Sequence, residues 1–152
     1  MGLELPHPKY RLFFERMLCR DGETLEIYAD LFDFGPVRAK RSAFARIRAA
    51  RLNELVDRFG SVCMLKFAPD CNVASGLCLD HLIPLSSNKL NKELLGATTF
   101  RDTDGNFRKA PTESFGSNAP RNLVLACTNC NSFKQNKFLD FATIARALRY
   151  GL

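Results

Sequence analysis

The chain has 152 residues, of which 46% are hydrophobic and 25% charged, and it contains thirteen phenylalanines. This composition excludes a low-complexity chain and is sufficient for one sizeable hydrophobic core, so we expect one domain or one small domain with a helical extension. The 22 Lys and Arg against 16 Asp and Glu give a formal charge of +6, which favours a polyanionic partner without requiring one.

No apolar run reaches the roughly 18 residues of a membrane span. The N-terminus also lacks the basic and then apolar layout of a signal peptide. We therefore expect a cytoplasmic protein that has no membrane partner. In a reducing cytosol, metal binding by the six cysteines outranks disulfide formation.

Residues 1–59 are predicted to form a helical, basic N-terminal region that serves DNA contact or dimerisation. Apolar residues at helical spacing predict a first helix from residue 8 to about residue 19. Residues 23–34 permit either a strand or a short helix. After the Gly-Pro pair at 35–36, a long helix should run to about residue 59.

This long helix carries seven basic and two acidic residues, a net charge of +5. The basic residues lie mostly outside one apolar stripe, so their guanidinium groups can make bidentate contacts with phosphates. We expect Arg38, Arg41 and Arg48 to contact DNA, and the equal alternative is a solvated face on a helix that covers the core. The stripe consists of Val37, Phe44, Ile47, Leu52, Leu55 and Phe59.

From residue 61 the pattern changes to short apolar runs. The runs 62–67 and 78–85 are separated by turn residues, which predicts the two strands of a hairpin. Residues 103–106, Thr-Asp-Gly-Asn, read as a second hairpin turn. A final helix should be capped by Asp140 and end at Gly151. Its predicted buried stripe consists of Phe141, Ile144, Ala145 and Leu148.

Cys127 and Cys130 have the spacing of a zinc knuckle, in which two thiolates bind one ion at tetrahedral angles. Such an ion needs two further ligands. Cys19 is expected to be a free buried thiol.

Two stretches of the sequence together resemble the HNH endonuclease family over residues 60–138. The first reads Asp-His-x-Ile-Pro from Asp80, and the second reads Asn-Leu-Val-Leu-x-Cys-x-x-Cys-Asn-x-x-Lys from Asn122. The resemblance implies an α+β fold, with a zinc-braced, treble-clef-like ββα-metal core flanked by N-terminal and C-terminal helices. Residues 60–152 would form the nuclease core, with an insertion at about 88–120 and a C-terminal helix.

The resemblance also implies roles for five residues. Asp80 and Asn131 would bind catalytic Mg²⁺ or Mn²⁺, which prefer oxygen ligands, and His81 would be the general base, being mostly neutral at pH 7. The other ring nitrogen of His81 should donate to a backbone carbonyl. Asn122 would tie the hairpin loop together, and Lys134 would bind a phosphate of the substrate, although a solvated lysine is nearly as good an interpretation.

The family position of its first cysteine pair points to Cys63 and Cys71 as the remaining zinc ligands. The family commonly has a second Cys-x-x-Cys, whereas seven residues separate this pair. Cys78 can replace either one, and a knuckle without metal is the remaining alternative. A site closed by four thiolates leaves no open position for water, so this Zn²⁺ would be structural.

The implied function is a metal-dependent endonuclease of restriction type that cuts double-stranded DNA, and a homodimer would let one site per chain cut both strands.

Adjacent strand residues face opposite sides, so Asp80 and His81 can serve one phosphate only if the strand ends or bulges there. The alternatives are a non-catalytic zinc module that binds nucleic acid or protein, and a nuclease for RNA or branched DNA.

Overall fold

The computed structural model describes residues 3–5, 8–86, 99–101, 103–109, 114–134 and 139–151. Within them the α-helices are α1 (Pro8–Leu18), α2 (Val37–Phe59), α3 (Thr128–Lys134) and α4 (Phe141–Leu148). The strands are β1 (Leu77–His81), β2 (Thr99–Arg101), β3 (Phe107–Lys109) and β4 (Leu123–Cys127), paired antiparallel as β1 with β4 and β2 with β3. This mixture of helices and small sheets is an α+β structure, as predicted.

The N-terminal helix begins and ends close to its predicted limits. Tyr10, Phe14 and Met17 are spaced along one side of α1, and all three are buried. The segment that permitted two interpretations forms a 3₁₀ helix, Leu25–Leu31. Its buried residues recur at every third position, as the three-residue turn of a 3₁₀ helix requires. They are Leu25, Tyr28 and Leu31.

The long helix α2 follows Pro36 and ends at Gly60, whose φ of 77° suits glycine. Leu55 is its one fully buried apolar residue, and Ile47 of the predicted stripe is exposed. The half-buried members of the stripe are Val37, Phe44, Leu52 and Phe59. Lys40, one of the seven basic residues of this helix, is buried. The helix therefore covers the core with a narrow contact and exposes most of its surface.

The predicted strand at residues 62–67 is wrong. Lys66 has a φ of 46°, and this left-handed conformation cannot continue an extended strand. The backbone N–H of Lys66 points back to Cys63 Sγ at 3.5 Å, so the chain turns around the cysteine. Met64 and Leu65 are buried, and the apolar run is therefore a buried loop beside β4, where Met64 N–H donates to Leu125 O at 2.8 Å.

The true partner of β1 is β4. In this antiparallel pair Leu77 lies opposite Cys127 and His81 lies opposite Leu123, so the two halves of the sequence motif meet side by side. The strand ends at His81 rather than at residue 85, because the next backbone N–H groups, at Leu82 and Ile83, donate to Asn122. The strand therefore ends at the Asp-His pair, which is one of the two conditions that the sequence set.

The turn predicted at residues 103–106 does connect a hairpin. Phe100 of β2 lies opposite Arg108 of β3, and Gly105 has a φ of 81°, a conformation common in tight hairpin turns. Residues 88–98, 102 and 110–113 of the predicted insertion lie outside the described residues.

The C-terminal helix is capped as predicted: Asp140 Oδ1 accepts a hydrogen bond from the Thr143 N–H at 2.8 Å. Its buried face is rotated from the predicted one and consists of Thr143, Ile144 and Ala147. Phe141 lies off this face and is 39% exposed. None of the described helices combines the length and the apolar character that crossing a membrane requires.

One hydrophobic core joins residues from both predicted regions of the chain. Phe14 of α1 packs edge-to-face on Phe115, which lies just before β4, with ring centroids 5.2 Å apart. Helix α1 also packs against α4. The N-terminal and C-terminal helices therefore pack against each other and share one core with the strand pair that carries the Asp-His motif.

Candidate functional site

Four cysteines form one cluster on the side of β4 that leads into α3. The Sγ atoms of Cys63, Cys71, Cys127 and Cys130 all lie within 4.8 Å of one another. Tetrahedral Zn²⁺ with Zn–S bonds of about 2.3 Å requires sulfurs about 3.8 Å apart, and Cys71 Sγ lies 3.8 Å from Cys127 Sγ. The four cysteines are positioned to bind a metal ion, and the donor set is compatible with structural zinc.

The loops around the cluster are shaped for sulfur ligands. Backbone N–H groups of Phe67 and Ala68 donate to Cys130 Sγ at 3.4 and 3.3 Å, and the Cys127 N–H donates to Cys63 Sγ at 3.3 Å. Such donors stabilise thiolates and hold metal ligands in place. Asn129 Nδ2 also donates to Asp70 O at 2.8 Å, which ties the loop that carries Cys71 to α3.

The thiols of the cluster do not ionise alike. Burial opposes ionisation of Cys127, but the backbone N–H groups of Cys130 and Asn72 outweigh it and lower the pKa to about 6. Burial raises the pKa of Cys71 and of Cys130. Cys127 therefore ionises more readily than Cys71 and Cys130, and binding of a cation would release protons from these two neighbours.

The two remaining cysteines lie outside this cluster, and all six thiols are free. Cys78, the alternative zinc ligand, lies on β1 and its Sγ donates to Ala126 O at 3.4 Å. Burial raises the Cys78 pKa to about 11. Cys19 is a free, half-buried thiol. The cluster that could hold a metal ion contains Cys63 and Cys71, and Cys78 is not part of it.

Asp80 lies near the end of β1 and pairs with a lysine from α3. Lys134 Nζ lies 3.2 Å from Asp80 Oδ1 and 3.1 Å from Oδ2, and it donates to His81 O at 2.8 Å. Lys134 is 1% exposed and Asp80 8%. The lysine that was predicted to bind a phosphate of the substrate is instead buried against the acid of the Asp-His pair.

The imidazole of His81 is enclosed by residues from two other parts of the chain. Nε2 lies 2.8 Å from Asn118 Oδ1, and the ring packs edge-to-face on Phe44 of α2 at 4.6 Å between centroids. Burial lowers the pKa of His81, and the Asn118 hydrogen bond partly opposes this shift. A side-chain amide thus takes the place of the backbone carbonyl that was predicted as the partner of one ring nitrogen.

Asn122 joins the end of β1 to the start of β4. Its Oδ1 accepts from the Ile83 N–H at 2.8 Å, and its Nδ2 donates to Ile83 O at 3.0 Å and to Ser117 O at 2.7 Å. The side chain is fully buried. These are hydrogen bonds of the loop-tying kind that the sequence resemblance implies for this residue.

The other predicted site residues lie on the surface or at its edge. Asn131 is half-buried in α3, three residues before Lys134. Arg38, Arg41 and Arg48 are exposed on α2, and Arg41 Nη2 lies 3.5 Å from Ser86 Oγ, just beyond the end of β1.

Sequence reasoning gave no role to Asn118. This residue lies between Ser117 and Ala119-Pro120, a composition that is typical of any turn, so no local signal distinguishes it. Family models, curated proteins and solved structures were compared with the chain, and none of them matches it.

Proposed function

We propose that this chain is a metal-dependent endonuclease that hydrolyses phosphodiester bonds of double-stranded DNA. The observation that carries the proposal is one hydrogen-bonded network at the end of the β1–β4 pair. Asp80 and His81 end β1, Asn122 holds the next turn, and Lys134 reaches the same carboxylate from α3. The order of these residues along the chain is that of the HNH motif that the sequence resembles, with a longer interval between His81 and Asn122 than in compact versions of the motif.

Asp80 and Asn131 are the proposed oxygen ligands of the catalytic cation. Asp80 Oδ2 is buried and makes no hydrogen bond to a described residue, but it lies 3.1 Å from Lys134 Nζ, so a metal ion bound there would share this oxygen with the ammonium group. Asn131 precedes Lys134 by nearly one helical turn, and this spacing places it toward the same side of α3. A carboxylate and an amide oxygen fit Mg²⁺ or Mn²⁺. The bound ion would polarise the phosphate and acidify water.

His81 is the proposed general base. It accepts a proton from water while the water oxygen forms a bond to phosphorus, and the bond between phosphorus and the leaving sugar oxygen breaks. The leaving oxygen takes a proton from solvent. Lys134 and Asn122 do not contact substrate in this scheme, because both are buried and hold Asp80 and the strand end in position.

The exposed face of α2 is the proposed DNA-binding surface. Arg41 and Arg48 lie three residues before and four residues after Phe44, so all three share one side of the helix. Phe44 contacts the His81 ring, and the two arginines therefore flank the residue that touches the proposed base. DNA phosphates bound along this side of α2 would lie next to the site.

A second candidate function is a zinc module that binds nucleic acid without cutting it. The observation that favours it is the burial of His81, Asp80 and Lys134, which satisfy one another and leave little surface for a substrate. In this case the network would be a brace for the strand pair. The cysteine cluster and the basic helix would serve both functions equally.

Cleavage of supercoiled plasmid tests the proposal. The unmodified protein should nick or linearise DNA with Mg²⁺ or Mn²⁺ and leave it intact in the same buffer without divalent cations. His81→Ala should lower the rate by about 100-fold or more, the usual contribution of a general base. The chain has one other histidine, His7, so His7→Ala is the matched control and should cut normally.

Three outcomes separate the candidates. The zinc module becomes the better proposal if the protein binds nucleic acid but does not cut plasmid DNA, branched DNA, modified DNA or RNA. Cutting of RNA or branched DNA alone would keep the chemistry and change the substrate. In binding assays, Arg41→Ala and Arg48→Ala should each weaken DNA binding. Each should also reduce the slope of log K against log salt concentration by about 0.9 per lost phosphate contact. Arg20→Ala, after the end of α1, is the control and should change neither quantity.

A further inference from the structure

Asn118 connects His81 to the long helix α2. Its Oδ1 lies 2.8 Å from His81 Nε2, and its Nδ2 donates to the backbone carbonyl of Lys40 at 2.9 Å. Asn118 is separated by 37 residues from His81 and by 78 from Lys40. The amide is therefore a bridge between two elements that the fold brings together.

The Lys40 carbonyl determines which way this amide faces. A carbonyl oxygen only accepts hydrogen bonds, so the NH₂ group of Asn118 must point to it and Oδ1 must point to His81. Oδ1 is itself only an acceptor, so His81 Nε2 must carry the hydrogen. In the neutral ring the second nitrogen, Nδ1, then has the free lone pair.

Both ends of this bridge are held in place. Lys40 Nζ donates to Asp33 O at 2.5 Å and to Gly116 O at 2.6 Å, which fixes α2 to the loop that carries Asn118. On the other side, Ser117 Oγ donates to Asp30 O and accepts from the Ala119 N–H at 3.2 Å. The loop cannot move away from α2 without breaking the hydrogen bonds from Lys40 Nζ to Gly116 O and from Asn118 Nδ2 to Lys40 O.

We propose that Asn118 is a positioning residue that holds His81 in the tautomer with hydrogen on Nε2 and leaves Nδ1 as the proton-accepting nitrogen. The catalytic consequence rests on the proposed nuclease function, whereas the placement of the hydrogen does not. Phe44 of α2 packs against the His81 ring and limits its rotation. Helix α2 thus supports the base through one side chain, Phe44, and one backbone carbonyl, that of Lys40.

The tautomer of His81 can be measured directly, because the chain has only one other histidine and that residue can be replaced. In a His7→Gln background, ¹⁵N-histidine labelling leaves one imidazole, and long-range ¹H–¹⁵N spectra identify which nitrogen carries hydrogen. We expect hydrogen on Nε2 and slow exchange of that proton with solvent. Hydrogen on Nδ1, or a rapidly exchanging Nε2 proton, would overturn the proposal.

Two variants of Asn118 separate positioning from mere packing. Asn118→Leu keeps the size of the side chain and removes the acceptor, so the Nε2 proton should exchange faster and the ring should populate both tautomers. Asn118→Asp keeps an acceptor and should retain hydrogen on Nε2, while it gives up the hydrogen bond to Lys40 O. An Asn118→Leu spectrum identical to that of the unmodified protein would exclude the proposed role, and Asn118→Asp provides the comparison if the leucine variant folds poorly.

Kinetics provide the second readout. Asn118→Leu should lower kcat by about 10–100-fold, the usual effect of removing a partner that orients a site residue, with KM nearly unchanged because Asn118 does not touch substrate. Asn118→Asp should recover most of the loss. Equal losses in both variants would overturn the positioning role. If the unmodified protein does not cut, the nuclease proposal fails while the spectra still decide the tautomer.

Discussion

Lys134 Nζ lies 3.1 Å from Asp80 Oδ2 and 3.2 Å from Oδ1, inside the protein rather than on its surface. This ion pair fastens α3 to β1, and a third hydrogen bond from Nζ to His81 O completes the contact. Ions buried in this way depend on each other, because either one alone would be a charge without a partner in a poorly solvated position.

Lys134→Met should therefore lower the free energy of unfolding by about 3–5 kcal/mol, the usual cost of removing one partner of a buried pair. Adding Asp80→Asn should recover part of this loss, because the stranded carboxylate is then removed. Urea denaturation of the two single variants and the double variant gives the coupling energy. A Lys134→Met variant as stable as the unmodified protein would contradict the buried pair.

Lys134 shows how far a local sequence pattern can predict the position of a side chain. Spacing placed Asn131 and Lys134 on one side of a short helix, but it did not reveal that this side faces β1. The same limit explains the wrong strand at residues 62–67: a short apolar run fits a strand or a buried loop equally, and Lys66 adopts its left-handed conformation because the chain turns around Cys63. Helix limits and the Asp140 cap, which depend on neighbours in sequence, were predicted well.

Long-range contacts were the part that the sequence could not supply. The Cys127–Cys130 spacing predicted a metal knuckle because both ligands lie within one turn, and the family position of Cys63 and Cys71 completed the set. Asn118 belongs to no motif, and its partners His81 and Lys40 are distant in sequence. Only the folded chain brings these three residues together.

Zinc content tests the cysteine cluster. Elemental analysis should find one zinc per chain in the unmodified protein and much less in Cys127→Ser, because a structural zinc site is closed by four ligands and this variant removes one of them. Removing the metal with a chelator should also lower the unfolding temperature, since binding energy at such a site contributes to folding. Cys78→Ser and Cys19→Ser are the matched controls and should keep their zinc. Well-folded protein without zinc would contradict a structural zinc site.

Gly116 is a position where any side chain should disturb the site. A Cβ there would lie 1.9 Å from Ile83 O and 2.7 Å from Pro84 O, so Gly116→Ala must separate the loop before β4 from the end of β1. The substitution should lower the free energy of unfolding by at least about 1–3 kcal/mol, the range typical of overpacking. The NMR resonances of His81 should shift as well.

Gly22→Ala is the control for this substitution. A Cβ at Gly22 meets nothing within 4 Å, but its φ of 83° should cost about 1–2 kcal/mol. Thermal unfolding should detect both variants, whereas only Gly116→Ala should alter the His81 spectrum. An unchanged His81 spectrum in Gly116→Ala would show that the loop and the site are not coupled.

The Asp140 cap should make the stability of α4 depend on pH. Hydrogen bonds from Thr143, through its hydroxyl and its backbone N–H, lower the pKa of Asp140 in the folded protein. A carboxylate with a lowered pKa adds stability that is complete above its unfolded pKa of about 3.9 and is lost as the pH falls through the folded value.

Asp140→Ala should therefore cost about 1 kcal/mol at pH 7, as loss of an N-cap usually does, and the difference from the unmodified protein should narrow below about pH 4. Asp140→Asn is the matched control, because asparagine caps a helix without a charge. Its cost at pH 7 should be smaller than that of Asp140→Ala, and below about pH 4 it should be at least as stable as the unmodified protein. Urea denaturation at several pH values measures all three proteins. If the loss of unfolding free energy in Asp140→Ala stays constant down to the lowest pH at which the protein is folded, the ionised carboxylate does not cap α4.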